Sequence, residues 1–143
     1  MRRLAAPALA AFIALTASAT AEAAVGFQHF TIPDPQDPTG SRRIEVGVWY
    51  PTGAAPTREP LELSEQTVAD NAAVRGDHLP LVVISHGHGG SYAGHFDTAI
   101  ALAKAGFVAA ALTHNGDSWR DPGNPVAVWE RPRQLKLDRK SVV

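Results

Sequence analysis

The sequence predicts an α/β fold, and three features of the stretch from Leu79 to Leu112 predict it. Leu79 to Ile84 is a continuous apolar run containing β-branched residues, the mark of a strand buried on both faces of a sheet rather than one alternating between core and water. A glycine-rich turn, His86-Gly87-His88-Gly89-Gly90, follows directly, and a helix is expected from Ser91 to Ala105. Phe107 to Leu112 is then a second fully apolar strand. Together they form a β-turn-α-β unit of about the minimum length for a parallel crossover.

Each element has its own warrant. Gly26 to Ile32 reads as a strand, with Phe27, His29 and Thr31 alternating against Gln28 and Phe30. The turn-rich Pro33 to Gly40 ends it. Arg43 to Tyr50 alternates cleanly, with Ile44, Val46, Val48 and Tyr50 on one face, and Pro51 closes it. Thr52 to Pro60 reads as a proline-rich loop, and Ser64 to Val74 as a short surface helix broken by Gly76-Asp77. In the long helix, Tyr92, Phe96, Ala99, Ile100 and Ala103 fall at helical spacing on one side. Ser91 is a natural N-cap, and Gly106 stands where a helix-ending glycine belongs. His114-Asn115-Gly116-Asp117 turns away at the carboxyl end of the second strand, and Pro125 to Leu137 is expected to begin another helix. The expected sheet has four strands.

Composition excludes several classes. The chain has 143 residues, 45% of them hydrophobic and 19% charged, with a formal charge of -1, which argues against a disordered polyelectrolyte and a nucleic-acid partner. It contains no cysteine, so disulfide frameworks, thiolate metal sites, cysteine nucleophiles and lipid-modified leaders have no basis here.

Both ends read differently from the middle. Arg2 and Arg3, the apolar run Leu4 to Ala19 and the small-x-small Ala21-Glu22-Ala23 predict an export leader over residues 1–23, cleaved near Ala23. The expected location is the periplasm or the exterior, without a stable membrane anchor, since the apolar run is short and alanine-rich. Residues 138–143, Asp-Arg-Lys-Ser-Val-Val, back-translate as GAT CGG AAG AGC GTC GTG, which matches the start of a common short-read sequencing adapter. The gene-derived sequence is therefore expected to end near Lys136, with residues 24–137 forming the domain proper.

The chemistry is expected at the turn after the first apolar strand. Its glycines permit unusual dihedrals and close approach, and free N–H groups beside a helix start stabilise negative charge. The turn lies at the carboxyl end of a parallel strand, where open α/β sheets place ligands.

Strand, His-Gly-x-Gly-Gly, helix and strand resemble the oxyanion-loop region of α/β-hydrolases. Val48-Trp49-Tyr50-Pro51 before it and Thr113-His114-Asn115-Gly116-Asp117 after it resemble the branch of dienelactone hydrolases and platelet-activating-factor acetylhydrolase-like esterases. The resemblance runs from about Gly26 to Arg131 and implies the N-terminal half of that fold, with an incomplete sheet. It implies a serine hydrolase of small-molecule carboxylic esters or lactones that needs no cofactor and no metal. The backbone N–H of His88 would be an oxyanion-hole donor, worth roughly 3–4 kcal/mol of transition-state stabilisation. Gly87, Gly89 and Gly90 would shape the loop, and His86 would anchor it.

The family nucleophile, a serine in Gly-x-Ser-x-Gly, has no counterpart in this chain. Ser91 lies in a near miss, Gly89-Gly90-Ser91-Tyr92-Ala93-Gly94, and reads as a helix cap. His114 and Asp117 are candidate pocket residues or simply a polar turn, and they do not make a triad. The chain is thus expected to be inactive by itself and marginally stable. Two rival readings stand beside this one. In the first, His86 and His88, with His95 and Asp97 following, form a metal site, although Gly90 and Ser91 occupy the positions where further ligands belong. In the second, the chain is a secreted domain without enzymatic activity.

Overall fold

The computed structural model describes residues 23–123, 128–129 and 131–135. The leader, apart from Ala23, and the residues 138–143 lie outside them. The described chain forms a six-stranded mixed sheet: β1 (Ala24–Pro33), β2 (Arg43–Thr52), β3 (Thr57–Leu61), β4 (Ser64–Asp70), β5 (Leu81–Ser85) and β6 (Val108–Leu112). The spatial order is β3-β4-β1-β2-β6-β5. Helix α1 (Phe96–Lys104) follows a 3-10 turn at Tyr92–His95. A single turn, α2 (Arg131–Gln134), falls within the region expected to begin a helix.

The β1–β2 hairpin is the backbone of the sheet. Its ladder runs from Ala24 opposite Thr52 to Pro33 opposite Arg43. Strand β6 adds antiparallel to β2, and β5 adds parallel to β6 through the α1 crossover. The crossover expected over Leu79 to Leu112 is therefore present. Ser91 caps the 3-10 turn, its side chain accepting from the Ala93 N–H, but the α-helix expected from Ser91 begins only at Phe96, and Gly106 follows its end at φ +92°.

The sheet separates two apolar layers. On the α1 side, Trp49, Ala109 and Ala111 pack with Phe27, Tyr92, Ala99 and Ala103. Opposite them, Ile44, Val46, Val48 and Tyr50 pack with Val108, Ala110 and Leu112. This alternation follows the period-two pleat of β2 and β6. Gly47 is obligatory for the first layer, because a Cβ there would stand 2.5 Å from the Tyr92 ring. Trp49 is fully buried, and its indole N–H donates to Gln66 Oε1 at 2.8 Å, tying β2 to β4.

Four other expectations need correction. Ser64 to Val74 is not a surface helix, since Ser64–Asp70 is strand β4 with Gln66 and Val68 turned inward. Thr57–Leu61, expected to be loop, is its partner β3. Pro60 is tolerated because β3 lies at the sheet edge, where a missing N–H costs no ladder bond. The sheet thus has six strands where four were expected. Finally, β5 is not buried on both faces: it is the opposite edge strand, and Val83 and Ser85 are exposed.

Candidate active site

The carboxyl ends of β5 and β6 lie side by side, and the loops leaving them interlock. Ser85 pairs with Leu112, and the isolated bridge from Gly90 to Ser118 then holds the two loops together. All the sequence-predicted site residues from His86 to Gly90, with His114 and Asp117, come together here.

His86 is buried and bonded on both ring nitrogens. Its Nε2 accepts from the His114 amide at 2.9 Å, so the ring proton sits on Nδ1, which donates to the Gly87 carbonyl at 2.6 Å. Burial pushes its pKa below the ordinary histidine value, against the opposing pull of the Gly87 carbonyl. A neutral ring of fixed tautomer thus pins the start of the loop. Gly90 packs against it, and a Cβ on Gly90 would stand 2.9 Å from the His86 Cβ.

Asp117 is the hub. One carboxylate oxygen accepts from His88 Nδ1 at 2.7 Å and from the Gly89 amide at 3.2 Å. The other is paired with Arg131 Nη2, and Arg131 Nη1 donates to the His86 carbonyl at 2.7 Å. Burial pushes the Asp117 carboxyl up, but Arg131, Gly89 and His88 together hold it down to about 2. Asp117 is therefore not a solvated turn residue but a buried anion clamping the loop.

These bonds leave the Gly87 and His88 amides distinct. Gly89 donates to Asp117 and Gly90 donates to the Gly87 carbonyl at 3.2 Å, whereas the Gly87 and His88 N–H groups meet no acceptor among the described residues. Gly89 takes φ +66°, a conformation that suits glycine, and the space beside Gly87 is open. The His88 side chain is 71% exposed.

A second chain of bonds runs behind the loop. Ser85 Oγ is 2.8 Å from His114 Nε2, and His114 Nδ1 is 2.7 Å from Gln134 Oε1. The spacing resembles a nucleophile, base and orienting group. The environment opposes that use: burial lowers the His114 pKa against the pull of Gln134, and His86 and Arg131 lower it further. An imidazolium is thus disfavoured where general-base catalysis would need one. The relay fixes the end of β5 instead.

The metal reading loses its ligands in this geometry. His86 offers no free nitrogen, since both of its ring nitrogens bond backbone groups. His95 and Asp97 are exposed on the 3-10 turn and α1. Among the described residues no group of three or more His, Asp or Glu side chains is placed to hold a metal ion.

Residues 57–120 match the family model of platelet-activating factor acetylhydrolase, isoform II. Seven chains of solved structures also match. One is a ferulic acid esterase from Streptomyces cinnamoneus, at 25% identity and a TM-score of 0.55, the match covering 71% of this chain and 36% of that one. The described chain has a partial α/β-hydrolase fold, similar to that esterase, and over residues 57–120 it is similar to the acetylhydrolase family. It spans little more than a third of the esterase it matches. No curated protein matches it. The matched stretch of this α/β-hydrolase-like chain takes in β3 to β6, the His86–Gly90 loop and Asp117, and stops before Arg131.

Sequence reasoning missed Arg131, Gln134 and Ser85, all of which hold this site. Arg131 and Gln134 are separated from the loop by more than forty positions, and no motif joins them to it. The one signal present was Asn-Gly-Asp closing an apolar strand, which reads equally well as an ordinary turn.

Proposed function

We propose that this chain supplies the electrophile-stabilising part of a serine hydrolase acting on small-molecule carboxylic esters or lactones. The observation that carries the proposal is the His88 amide, which meets no acceptor among the described residues while the amides on its carboxyl side are bonded. A carbonyl oxygen seated there would accept from a donor whose position is already set by Asp117, Arg131 and His86. Such preorganisation costs no rearrangement as charge develops on the oxygen. The family match and the esterase neighbour support the reaction class.

The attacking hydroxyl belongs to a Gly-x-Ser-x-Gly turn, which the chain does not contain. The chain as it stands is proposed to be catalytically silent, and its partner in the reaction to be further sequence of the same protein. Leader-like residues 1–23 support export to the periplasm or beyond.

The test is to sequence the source DNA beyond the Lys136 codon with adapter-independent primers. The expected result is a frame continuing into a strand and Gly-x-Ser-x-Gly. A genomic stop directly after Val143 would overturn the serine-hydrolase reading.

A further inference from the structure

Beside the oxyanion loop, the β3–β4 turn is bent into an unusual position. Leu61 pairs with Ser64, leaving Glu62 and Leu63 as a two-residue turn, and Glu62 takes φ +49° without being glycine. A two-residue hairpin turn calls for positive φ at its first position, where glycine is the usual occupant, so a glutamate there needs surroundings that hold it. Here the hold is visible. The Glu62 side chain is 7% exposed, Ser91 Oγ donates to its Oε2 at 2.5 Å, and Arg120 Nη2 lies 3.7 Å from its Oε1. The turn is thereby fastened to the start of the α1 segment on one side and to the loop after β6 on the other.

The fastening has an outward product. Leu63 is 84% exposed and Trp119 is 47% exposed, and both line one small pocket. Its remaining walls include Leu61, Gly90 and Ser91, so it opens directly beside the oxyanion loop. Arg120 stacks on the Trp119 ring at 4.7 Å and steadies it. The cavity measures about 190 Å³. An apolar cavity of about 150 Å³ accommodates one benzene ring.

We propose that Leu63 and Trp119 form a substrate subsite for a single-ring aryl group of the ester. This inference rests on the oxyanion-loop reading and adds to it the substrate class. The ring stacks against Trp119 under Leu63, while Gly90 and Ser91 connect the pocket to the carbonyl position at His88. Offset stacking on an indole favours a flat aromatic group over an aliphatic chain of equal size.

The experiment is a titration of the ¹⁵N-labelled full chain with methyl benzoate, and in parallel with methyl hexanoate, followed by nuclear magnetic resonance. Methyl benzoate is expected to shift the Trp119 indole N–H and the Gly90 and Ser91 amides saturably, at least fivefold more tightly than methyl hexanoate. L63S is expected to weaken that affinity about tenfold, because the ring then has no apolar wall above it, and W119L to abolish the preference for the aryl ester. Both positions are exposed, and near-ultraviolet circular dichroism of L63S checks that the fold survives. Shifts confined to Trp129, an exposed indole outside the pocket, equal affinity in L63S, or no preference between the two esters would overturn the subsite. The His88 amide separates the two readings. If Trp119 responds and His88 does not, the subsite stands and the oxyanion loop falls. If His88 responds alone, the subsite falls and the loop stands.

Discussion

The Nε2 of His86 accepts a hydrogen bond from the backbone amide of His114 at 2.9 Å, and the two rings lie 4.8 Å apart at 53°. One histidine thus closes the ends of two parallel strands through main chain rather than through another side chain. The bond requires a deprotonated Nε2, so the geometry of the loop depends on a neutral ring.

Gly90→Ala tests how tightly that ring is held. The added methyl would meet the His86 Cβ at 2.9 Å, and neither backbone can yield freely. The expected cost is about 1–3 kcal/mol in urea unfolding. The same variant is expected to lose hydrogen-exchange protection at the His114 amide, since the acceptor of that amide is displaced.

Asp117→Asn removes the anion but keeps the shape. Arg131, only 15% exposed, is then left without its carboxylate. A loss of about 3 kcal/mol is expected, the usual cost of orphaning one member of a buried pair. Because Asp117 also holds His88 and Gly89, the amide resonances of residues 87–90 are expected to broaden or multiply in this variant, while those of β1 and β2 stay fixed.

Stability is expected to fall with acid in two stages. His86 and His114 both have folded pKa values below the ordinary 6.5, mainly through burial. Their contribution is present above that pH and is lost as the pH falls through it, because the unfolded chain then binds more protons. Asp117, at about 2 when folded against 3.8 unfolded, contributes above pH 4 and loses that contribution between about 4 and 2. The Asp117 share is on the order of 2 kcal/mol. At the alkaline end burial pushes Tyr92 up to about 12 from 10.0, so its contribution is present below pH 10 and lost above it. Denaturant midpoints measured from pH 3 to 11 check the signs.

A fluorophosphonate probe is expected to leave Ser85, Ser91 and Ser118 unlabelled, as read by peptide mass spectrometry. Ser85 is bonded to a histidine whose charging is opposed by burial. The Ser91 hydroxyl is engaged with Glu62 and the Ala93 amide. Ser118 is 4% exposed and accepts from the Asp121 amide. Stoichiometric label on any of them would show a nucleophile that the geometry does not suggest.

The crossover was readable because its physics is local. Val108–Leu112 is apolar throughout and buried throughout, and Ala99 and Ala103 recur at the helical period and meet the sheet. Strands β3 and β4 were unreadable for the opposite reason. Thr-Arg-Glu-Pro-Leu carries charges and a proline, and its strand state comes from pairing with β4, including an ion pair between Arg58 and Glu65. Cross-strand pairing overrides local preference in such edges. Likewise β5 has the composition of a central strand but lies at an edge, because burial depends on neighbours that composition does not name. In the site, the glycines and His86 could be picked out from one short motif. The clamp through Arg131 could not, since a long-range ion pair leaves no periodic trace in a sequence.

The order of the strands in space also sets an order in time. During synthesis β1 and β2 can zip together as soon as both have left the ribosome, since they are consecutive. Strand β5 emerges next among the crossover elements but among the described strands pairs only with β6, and β6 is separated from it by the whole of α1. Leu81–Ser85 therefore waits unpaired until residues beyond 108 appear, and only then do β6 and β5 join the growing sheet together. The interval leaves Val-Val-Ile free to pair with a neighbouring nascent chain. Slow translation across residues 86–107 would lengthen it.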